Sequence, residues 1–220
     1  MNEKVIPRIV LSNEEFKIAE FWGCETSKRS VEILRKLGKP IDTVIESDQS
    51  NHDISVKGEC AIDLRLHHTI EKTVENSARF CRGNSLVPLI PDNIIWGLYD
   101  YDEGEQIGDC IGVEVKSTRR KEGGEALKLP FKEPQFRDYQ KARGNGMFDA
   151  FIYVLTATVR GHPNAVDLLG FAREKEIEKT IADSNPDSHG DYLIQRLNLH
   201  PMKFLTHKHY KTSKTLRDYT

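Results

Sequence analysis

The sequence is poor in cysteine and has no long hydrophobic run. Its four cysteines stand at positions 24, 60, 81 and 110, a spacing with no Cys-x-x-Cys pair and no zinc-finger pattern. Such isolated cysteines indicate free thiols in a reducing compartment rather than a disulfide framework. No apolar stretch is long enough to cross a bilayer, and the first residues lack the apolar core of a signal peptide. We therefore expect an intracellular, cytoplasmic protein.

Neither sign of charge prevails, and two common catalytic motifs are missing. The chain has 32 Lys and Arg residues against 34 Asp and Glu, so its net charge of −2 does not by itself indicate a nucleic-acid partner. It contains no Gly-x-x-x-x-Gly-Lys-Ser/Thr loop and no Gly-x-Ser-x-Gly turn, the sequence patterns of P-loop NTPases and α/β-hydrolases. A length of 220 residues fits one domain, or one domain with a small appendage.

The chain does contain an apolar strand that ends in two charged residues. Ile111, Val113 and Val115 are apolar and face one side, whereas Glu114 and Lys116 face the other. An acid and a base at such a position are costly to bury unless they have partners or a function. The segment Pro91–Trp96 predicts a neighbouring strand, which brings the carboxylate of Asp92 close. Two carboxylates form the hard-oxygen donor set that Mg²⁺ or Mn²⁺ prefers.

The two strands resemble the short motif of the PD-(D/E)XK nuclease superfamily. The matching residues are Pro91-Asp92 and Glu114-x-Lys116. The resemblance implies a Mg²⁺-dependent (or Mn²⁺-dependent) enzyme that hydrolyses phosphodiester bonds in DNA. It assigns Asp92, Glu114 and the backbone carbonyl of Val115 to the metal. It assigns Lys116 to the attacking water or to the phosphate.

A second element agrees with RecB-like members of that superfamily. Proline and glycine predict a helix that begins at Pro134 and ends at Gly144. Gln135 and Tyr139 share one face of it, at i and i+4. The pair resembles the Gln-x-x-x-Tyr element that follows the acid-x-Lys strand in those nucleases. The resemblance implies that Gln135 orients Lys116 or a phosphate oxygen.

A helix predicted over residues 59–80 offers one more carboxylate. Glu59 shares a face with Ile62 and Leu66, so we expect it to point toward the core. The local Gly-Glu-x-Ala sequence is similar to the helix that precedes the sheet in many of these nucleases, and this makes Glu59 a further catalytic candidate. The alternative is a first-turn acid favoured by the helix dipole, and both interpretations stay open.

Two aspartates precede Glu114, and hairpin symmetry favours the first. Opposed residues of an antiparallel hairpin have position numbers with a constant sum. A turn at Asp102–Glu105 gives a sum of about 207, close to that of Asp92 with Glu114. Asp100 lies in a Gly-x-x-Asp sequence that resembles a RecB-like element, but its pairing with Glu114 would turn the acidic segment into strand, which has poor β propensity. Asp92 is the predicted ligand, and Asp100 is the alternative metal ligand.

Past Lys116 the charge balance changes. Residues 116–143 contain nine Lys or Arg residues and four acids. A basic flank beside an acidic metal site suits phosphodiester cleavage, because the acids hold the cation and the flank holds backbone phosphates. An ordinary charged surface loop is the alternative. The candidate DNA contacts are Arg119, Arg120, Lys121, Lys128, Lys132, Arg137 and Lys141.

The predicted fold is an α/β domain with a mixed central β-sheet flanked by helices, and the resemblance implies a restriction-endonuclease-like αβββαβ core. We assign residues 1–57 to an N-terminal helical and loop appendage, 58–182 to the core and 183–220 to a basic C-terminal extension. An endonuclease acting as a homodimer is favoured, because paired cuts in a two-fold duplex suit a two-fold protein. The alternatives are a catalytically inactive DNA-binding protein of this fold and an unrelated α/β enzyme acting on a small substrate.

Overall fold

The structure, a computed structural model, describes residues 6–36, 54–62, 65, 91–100, 103–120, 127–159, 161–202 and 205–207. The strands are β1 (Arg8–Val10), β2 (Asn93–Asp100), β3 (Glu105–Arg120), β4 (Lys128–Phe131), β5 (Ala150–Val159), β6 (His162–Arg173), β7 (Tyr192–Gln195) and β8 (Leu205–His207). The helices are α1 (Asn13–Lys36), α2 (54–62), α3 (Glu133–Gly144) and α4 (Glu174–Asp183), with a 3₁₀ turn at Arg196–Asn198. In these ranges no helix combines the length and the apolar character needed to cross a membrane.

The central sheet is mixed and has six strands in the order β1-β6-β5-β3-β2-β8. Strand β3 lies at its centre, antiparallel to β2 and parallel to β5. A parallel pair needs a long crossover connection, and α3 lies in that connection. Strands β4 and β7 form a separate antiparallel ribbon. The predicted α/β class, with a mixed sheet and flanking helices, is confirmed.

The residues of β3 alternate between two differently composed faces. Val113 and Val115 pack into an apolar cluster that includes Ile62 of α2. On the opposite face an aromatic cluster joins the sheet to α3, α4 and the β4–β7 ribbon. Glu114 and Lys116 point to this second face, where they contact α3. The even-numbered charged positions therefore lie under a helix rather than in open solvent.

Strand β5 and helix α3 follow directly from their sequences. Strand β5 is apolar almost throughout and is buried from its second residue to its last, as a strand covered on both faces must be. Helix α3 carries Pro134 in its first turn together with an acid, and Lys141 and Arg143 in its last turn. Both charge placements complement the helix dipole. The helix predicted from Pro134 to Gly144 is confirmed and begins one residue earlier.

Three short strands extend the sheets outside the range 58–182 assigned to the core. Strand β1 pairs with β6, β7 pairs with β4, and β8 pairs with β2. The limits of the core predicted from the sequence therefore do not coincide with the limits of the sheets. Strands of three or four residues are too short to show a clear alternation of apolar and polar residues.

Helix α2 packs so closely on the sheet that one glycine is required at the contact. Residues 54–62 are helical, so Gly58 lies within the helix that the sequence predicted to begin at residue 59. A Cβ atom at Gly58 would lie 2.1 Å from Ser117 Oγ and 2.4 Å from Thr156 Oγ1. Those two hydroxyls are hydrogen-bonded to each other at 2.7 Å, so neither can move away without breaking that bond. The missing side chain at Gly58 sets the distance between α2 and β3.

Gly58→Ala should therefore lower the free energy of unfolding by about 1–3 kcal/mol, because the added methyl group overpacks the interface. Gly144→Ala is the matched control, because a Cβ atom at Gly144 meets no atom within 4 Å and alanine is the better helix former. Chemical denaturation of both variants measures the difference. A Gly58→Ala variant as stable as Gly144→Ala would contradict this packing.

Candidate active site

The register of the β2–β3 hairpin brings Asp92 next to Glu114. Asn93 opposes Val113 and Ile95 opposes Ile111, so the position numbers of these pairs sum to 206. The next pair in this register is Asp92 with Glu114, immediately before β2 begins. The register predicted from the acidic turn is thus confirmed to within one residue.

The ring of Pro91 packs closely on Gly112 where the chain enters β2. Pro91 is buried against Gly112 of β3, where a Cβ atom would lie 2.7 Å from the proline Cγ. Beyond this point β3 continues past the start of β2, and the side chain of Asp92 takes the place of a strand partner. Its Oδ2 accepts a hydrogen bond from the backbone N–H of Val115 at 2.7 Å. The carboxylate is therefore held at an edge of β3 that no other described strand covers.

Glu114 is the acceptor on which the other polar side chains converge. Its Oε1 accepts hydrogen bonds from Lys116 Nζ at 2.5 Å and from Gln135 Nε2 at 2.7 Å. Its Oε2 accepts a short hydrogen bond from the hydroxyl of Tyr139. Gln135 Oε1 in turn accepts from Lys116 Nζ at 3.3 Å. Gln135 therefore contacts both Glu114 and Lys116, and Tyr139, on the same face of α3, contacts Glu114.

The carboxylates carry more negative charge than the site compensates. Burial raises the pKa of Asp92 well above its ordinary value, and the negative charge of Glu114 raises it further. Lys116 and the N–H of Val115 act in the opposite direction but do not offset this. Burial by itself lowers the pKa of Lys116, but Glu114, Asp92 and then Asp191 raise it, and the pKa is raised overall. The described part of the site therefore has an unmet demand for positive charge.

Two residues near the site were missed by the sequence analysis. Asp191 follows a tight turn in which Asp187 accepts hydrogen bonds from two backbone N–H groups, and its charge acts on Lys116. Tyr153 of β5 is the register partner of Glu114 in the parallel pair β3–β5. Nothing local in the apolar strand marks Tyr153 as a site residue, because its position depends on a strand pairing between distant segments.

Asp100, the alternative ligand, lies at the other end of β2. It opposes Glu105 and lies eight positions along the chain from Asp92, a distance of roughly 25 Å. Its side chain is fully buried and forms an ion pair with Arg173, which also contacts Glu103 and Glu105. Asp100 is thus engaged in a network that ties the hairpin turn to the end of β6.

Glu59 is placed on the other side of the sheet from Glu114. It lies on α2, which packs against the face that Val113 and Val115 share, and it is buried. Its Oε1 accepts a hydrogen bond from Ser55 at 3.0 Å, one turn earlier on the helix. The structure does not bring Glu59 onto the face that carries Glu114, and its catalytic role stays a prediction.

Of the candidate DNA-contacting residues, those whose exposure the structure describes lie on α3 or close to its start. Lys128, Lys132, Arg137 and Lys141 are exposed on β4, on α3 and in the residue between them. Arg137 forms an exposed ion pair with Glu133 at 3.0 Å, a kind of pair that contributes little and exchanges readily. Arg119 and Arg120 end β3, and Lys121 lies outside the described residues.

The donor set has two carboxylates rather than three. Among the described residues, no three His, Cys, Asp or Glu side chains form a group that could hold a metal ion. Mg²⁺ is commonly bound by one or two carboxylates and keeps several waters, so two acids and a backbone carbonyl suffice for it. No protein-family model, curated protein or solved structure matches this chain. Function must therefore be argued from the chemistry of the site.

The two aspartates should respond oppositely to neutralisation when metal is absent. Because the pKa of Asp92 is raised, its ionised form opposes folding at pH 7, and Asp92→Asn should raise the melting temperature by about 2–4 °C for each kcal/mol relieved. Asparagine retains an acceptor for the N–H of Val115. Asp100→Asn should instead lower the free energy of unfolding by about 3 kcal/mol, because it leaves Arg173 without its most buried partner.

Thermal melts of both variants in EDTA at pH 7 make this comparison. Equal changes in the melting temperature of the two variants, or a large loss of stability in Asp92→Asn alone, would contradict the assignment of surplus negative charge to Asp92.

Proposed function

We propose that this chain is a metal-dependent DNA nuclease of the PD-(D/E)XK type, and that it acts as an endonuclease on phosphodiester bonds. The observation that carries the proposal is the convergence of Asp92, Glu114 and Lys116 on one edge of the sheet. Gln135 joins them from α3. Two adjacent acids with one lysine are the groups needed to bind a divalent cation and a phosphate together.

The residues present suit Mg²⁺ or Mn²⁺. Asp92 and Glu114 supply hard oxygen donors whose surplus charge a divalent cation would offset. The N–H of Val115 points to Asp92, and because the N–H and C=O of one strand residue point to the same side, its carbonyl is available on that edge as well. When bound, the metal would lower the pKa of the attacking water and polarise the scissile phosphate.

The protein's own side chains would position the reacting groups. Lys116 is held by Glu114 and Gln135, so its ammonium group has a defined place from which to contact the water or a phosphate oxygen. Gln135 contacts both members of that pair, which fixes their relative orientation. Tyr139 donates to the other oxygen of Glu114 and keeps that carboxylate from rotating. All of these groups stand on strands or on a helix, which position side chains more accurately than loops do.

The order of the elements supports a restriction-endonuclease-like core. Helix α2, the antiparallel hairpin β2–β3, helix α3 and the parallel strand β5 follow one another in the chain. In this arrangement the acids lie where β2 begins and β3 continues.

The proposed substrate is duplex DNA, and a homodimer is part of the proposal. Exposed Lys128, Lys132 and Lys141 lie on the elements that cover the Glu114 face, so a phosphate backbone that reached Lys116 would pass near them. Contacts of this kind position the duplex without reading its sequence. Two protomers related by a two-fold axis would place one such site on each strand.

Purified protein should cleave DNA with Mg²⁺ or Mn²⁺ and not with EDTA, when incubated with linear, circular, branched and single-stranded substrates. Cleavage of closed circles would identify the endonuclease mode. Lys116→Met should reduce the rate by about 10²–10³-fold, because it removes the charge that faces the phosphate and keeps the aliphatic stem. Lys175→Met is the matched control, since Lys175 is also paired with a glutamate, Glu103 at 2.8 Å, but far along the chain at the hairpin turn.

A wild-type protein that binds DNA but cleaves no substrate with either metal would contradict the proposal and would favour the inactive DNA-binding protein. Full activity in Lys116→Met would place the chemistry elsewhere.

A further inference from the structure

Tyr153 is a fully buried tyrosine beside the two acids. It opposes Glu114 in the parallel pair β3–β5, so both side chains lie on the face covered by α3. Its ring is 6.1 Å from the ring of Tyr139 and 6.0 Å from that of Phe131. The ring thus belongs to the aromatic layer that lies under α3, next to Glu114.

The two tyrosines Tyr139 and Tyr153 differ in the hydrogen bonds that their hydroxyl groups form. The hydroxyl of Tyr139 donates to Glu114. The hydroxyl of Tyr153 is buried, and among the described residues it has no hydrogen-bond partner. A buried hydroxyl without a partner is costly, and in native proteins such groups usually face a water, an ion or a functional site.

The register of the β3–β5 pair puts Tyr153 on the same face of the sheet as Glu114. Burial raises the pKa of Tyr153, and the charges of Glu114 and Asp92 raise it further, so both acids act on this group. A tyrosine hydroxyl keeps its proton near pH 7 without any such shift, because its ordinary pKa is about 10, and it is therefore a hydrogen-bond donor. A donor in the field of two carboxylates is suited to bind an oxygen atom held between them.

We propose, on the basis of the nuclease function proposed above, that Tyr153 is a positioning residue that donates a hydrogen bond to a water bound at the Asp92–Glu114 site. Because the residue has no exposed surface, it would act through this water rather than on DNA itself. Residues that hydrogen-bond to the ligands of a metal, without binding the metal themselves, commonly change metal affinity or activity by about 10- to 100-fold when they are mutated. Tyr153 would thereby supply a donor from β5, in addition to Lys116 of β3 and Gln135 of α3.

Tyr153→Phe tests this inference, because phenylalanine keeps the ring contacts and removes only the hydroxyl. Titration with Mn²⁺ should show an affinity weakened by about 10- to 100-fold, and the cleavage rate should fall in parallel. In EDTA the melting temperature should be unchanged or higher, since no hydrogen bond to the described protein is lost. Tyr139→Phe should instead lower the melting temperature in EDTA, because its hydrogen bond to Glu114 is lost.

Tyr99→Phe is the control, because it removes a hydroxyl that donates to the Gly104 carbonyl at 2.5 Å, in the turn at the other end of β2. It should leave Mn²⁺ affinity and cleavage at the wild-type values. Wild-type Mn²⁺ affinity and cleavage in Tyr153→Phe would overturn the inference, and so would a lowered melting temperature with intact Mn²⁺ affinity. A wild-type protein that neither binds Mn²⁺ nor cleaves DNA would overturn the proposed function itself, and this inference with it.

Discussion

The pairing of Glu114 with Lys116, next to the second carboxylate of Asp92, is the interaction on which the site depends. A buried carboxylate is tolerated only when donors surround it, and Glu114 has three, from Lys116, Gln135 and Tyr139. Among the described residues one backbone N–H, that of Val115, donates to Asp92, and burial followed by the charge of Glu114 raises the pKa of this carboxyl. This imbalance is what a divalent cation would correct, and it is the physical basis of the proposed metal site.

The sheet supplies the geometry that makes this imbalance possible. Strand β3 lies between an antiparallel and a parallel neighbour, and β2 begins at Asn93, one residue past Asp92. One edge of β3 is therefore available to Asp92 at the position where Glu114 points toward α3. The parallel neighbour β5 is buried from its second residue to its last and lies next to β3 beneath the site. The crossover connection that parallel pairing requires is also what places Gln135 and Tyr139 above Glu114.

Features set by local sequence could be predicted, and features set by distant pairing could not. The hairpin register followed from one acidic turn and an alternating strand, and α3 followed from proline, glycine and end charges, so Asp92, Glu114 and Gln135 were correctly brought together.

The position of Tyr153 opposite Glu114 depends on which strands pair across a long connection, and periodicity carries no such information. The electrostatic effect of Asp191 on Lys116 depends on the ribbon β4–β7, because Asp191 directly precedes β7. The strands of that ribbon have four residues each, too few to show a clear alternation of apolar and polar residues in the sequence. Asp100 showed a motif-like sequence, yet Arg173, distant in the chain, gives it a structural partner.

The most direct test of the account is an anomalous diffraction measurement on crystals grown with Mn²⁺. A single metal peak should lie within about 2.1 Å of one oxygen of Asp92 and one of Glu114, with the Val115 carbonyl and waters as its remaining ligands. The Asp92→Asn protein in the same crystal form should show a weakened peak or none. A peak at Asp100, or no peak near Glu114 at a saturating concentration, would contradict the metal site from which the proposed function is argued.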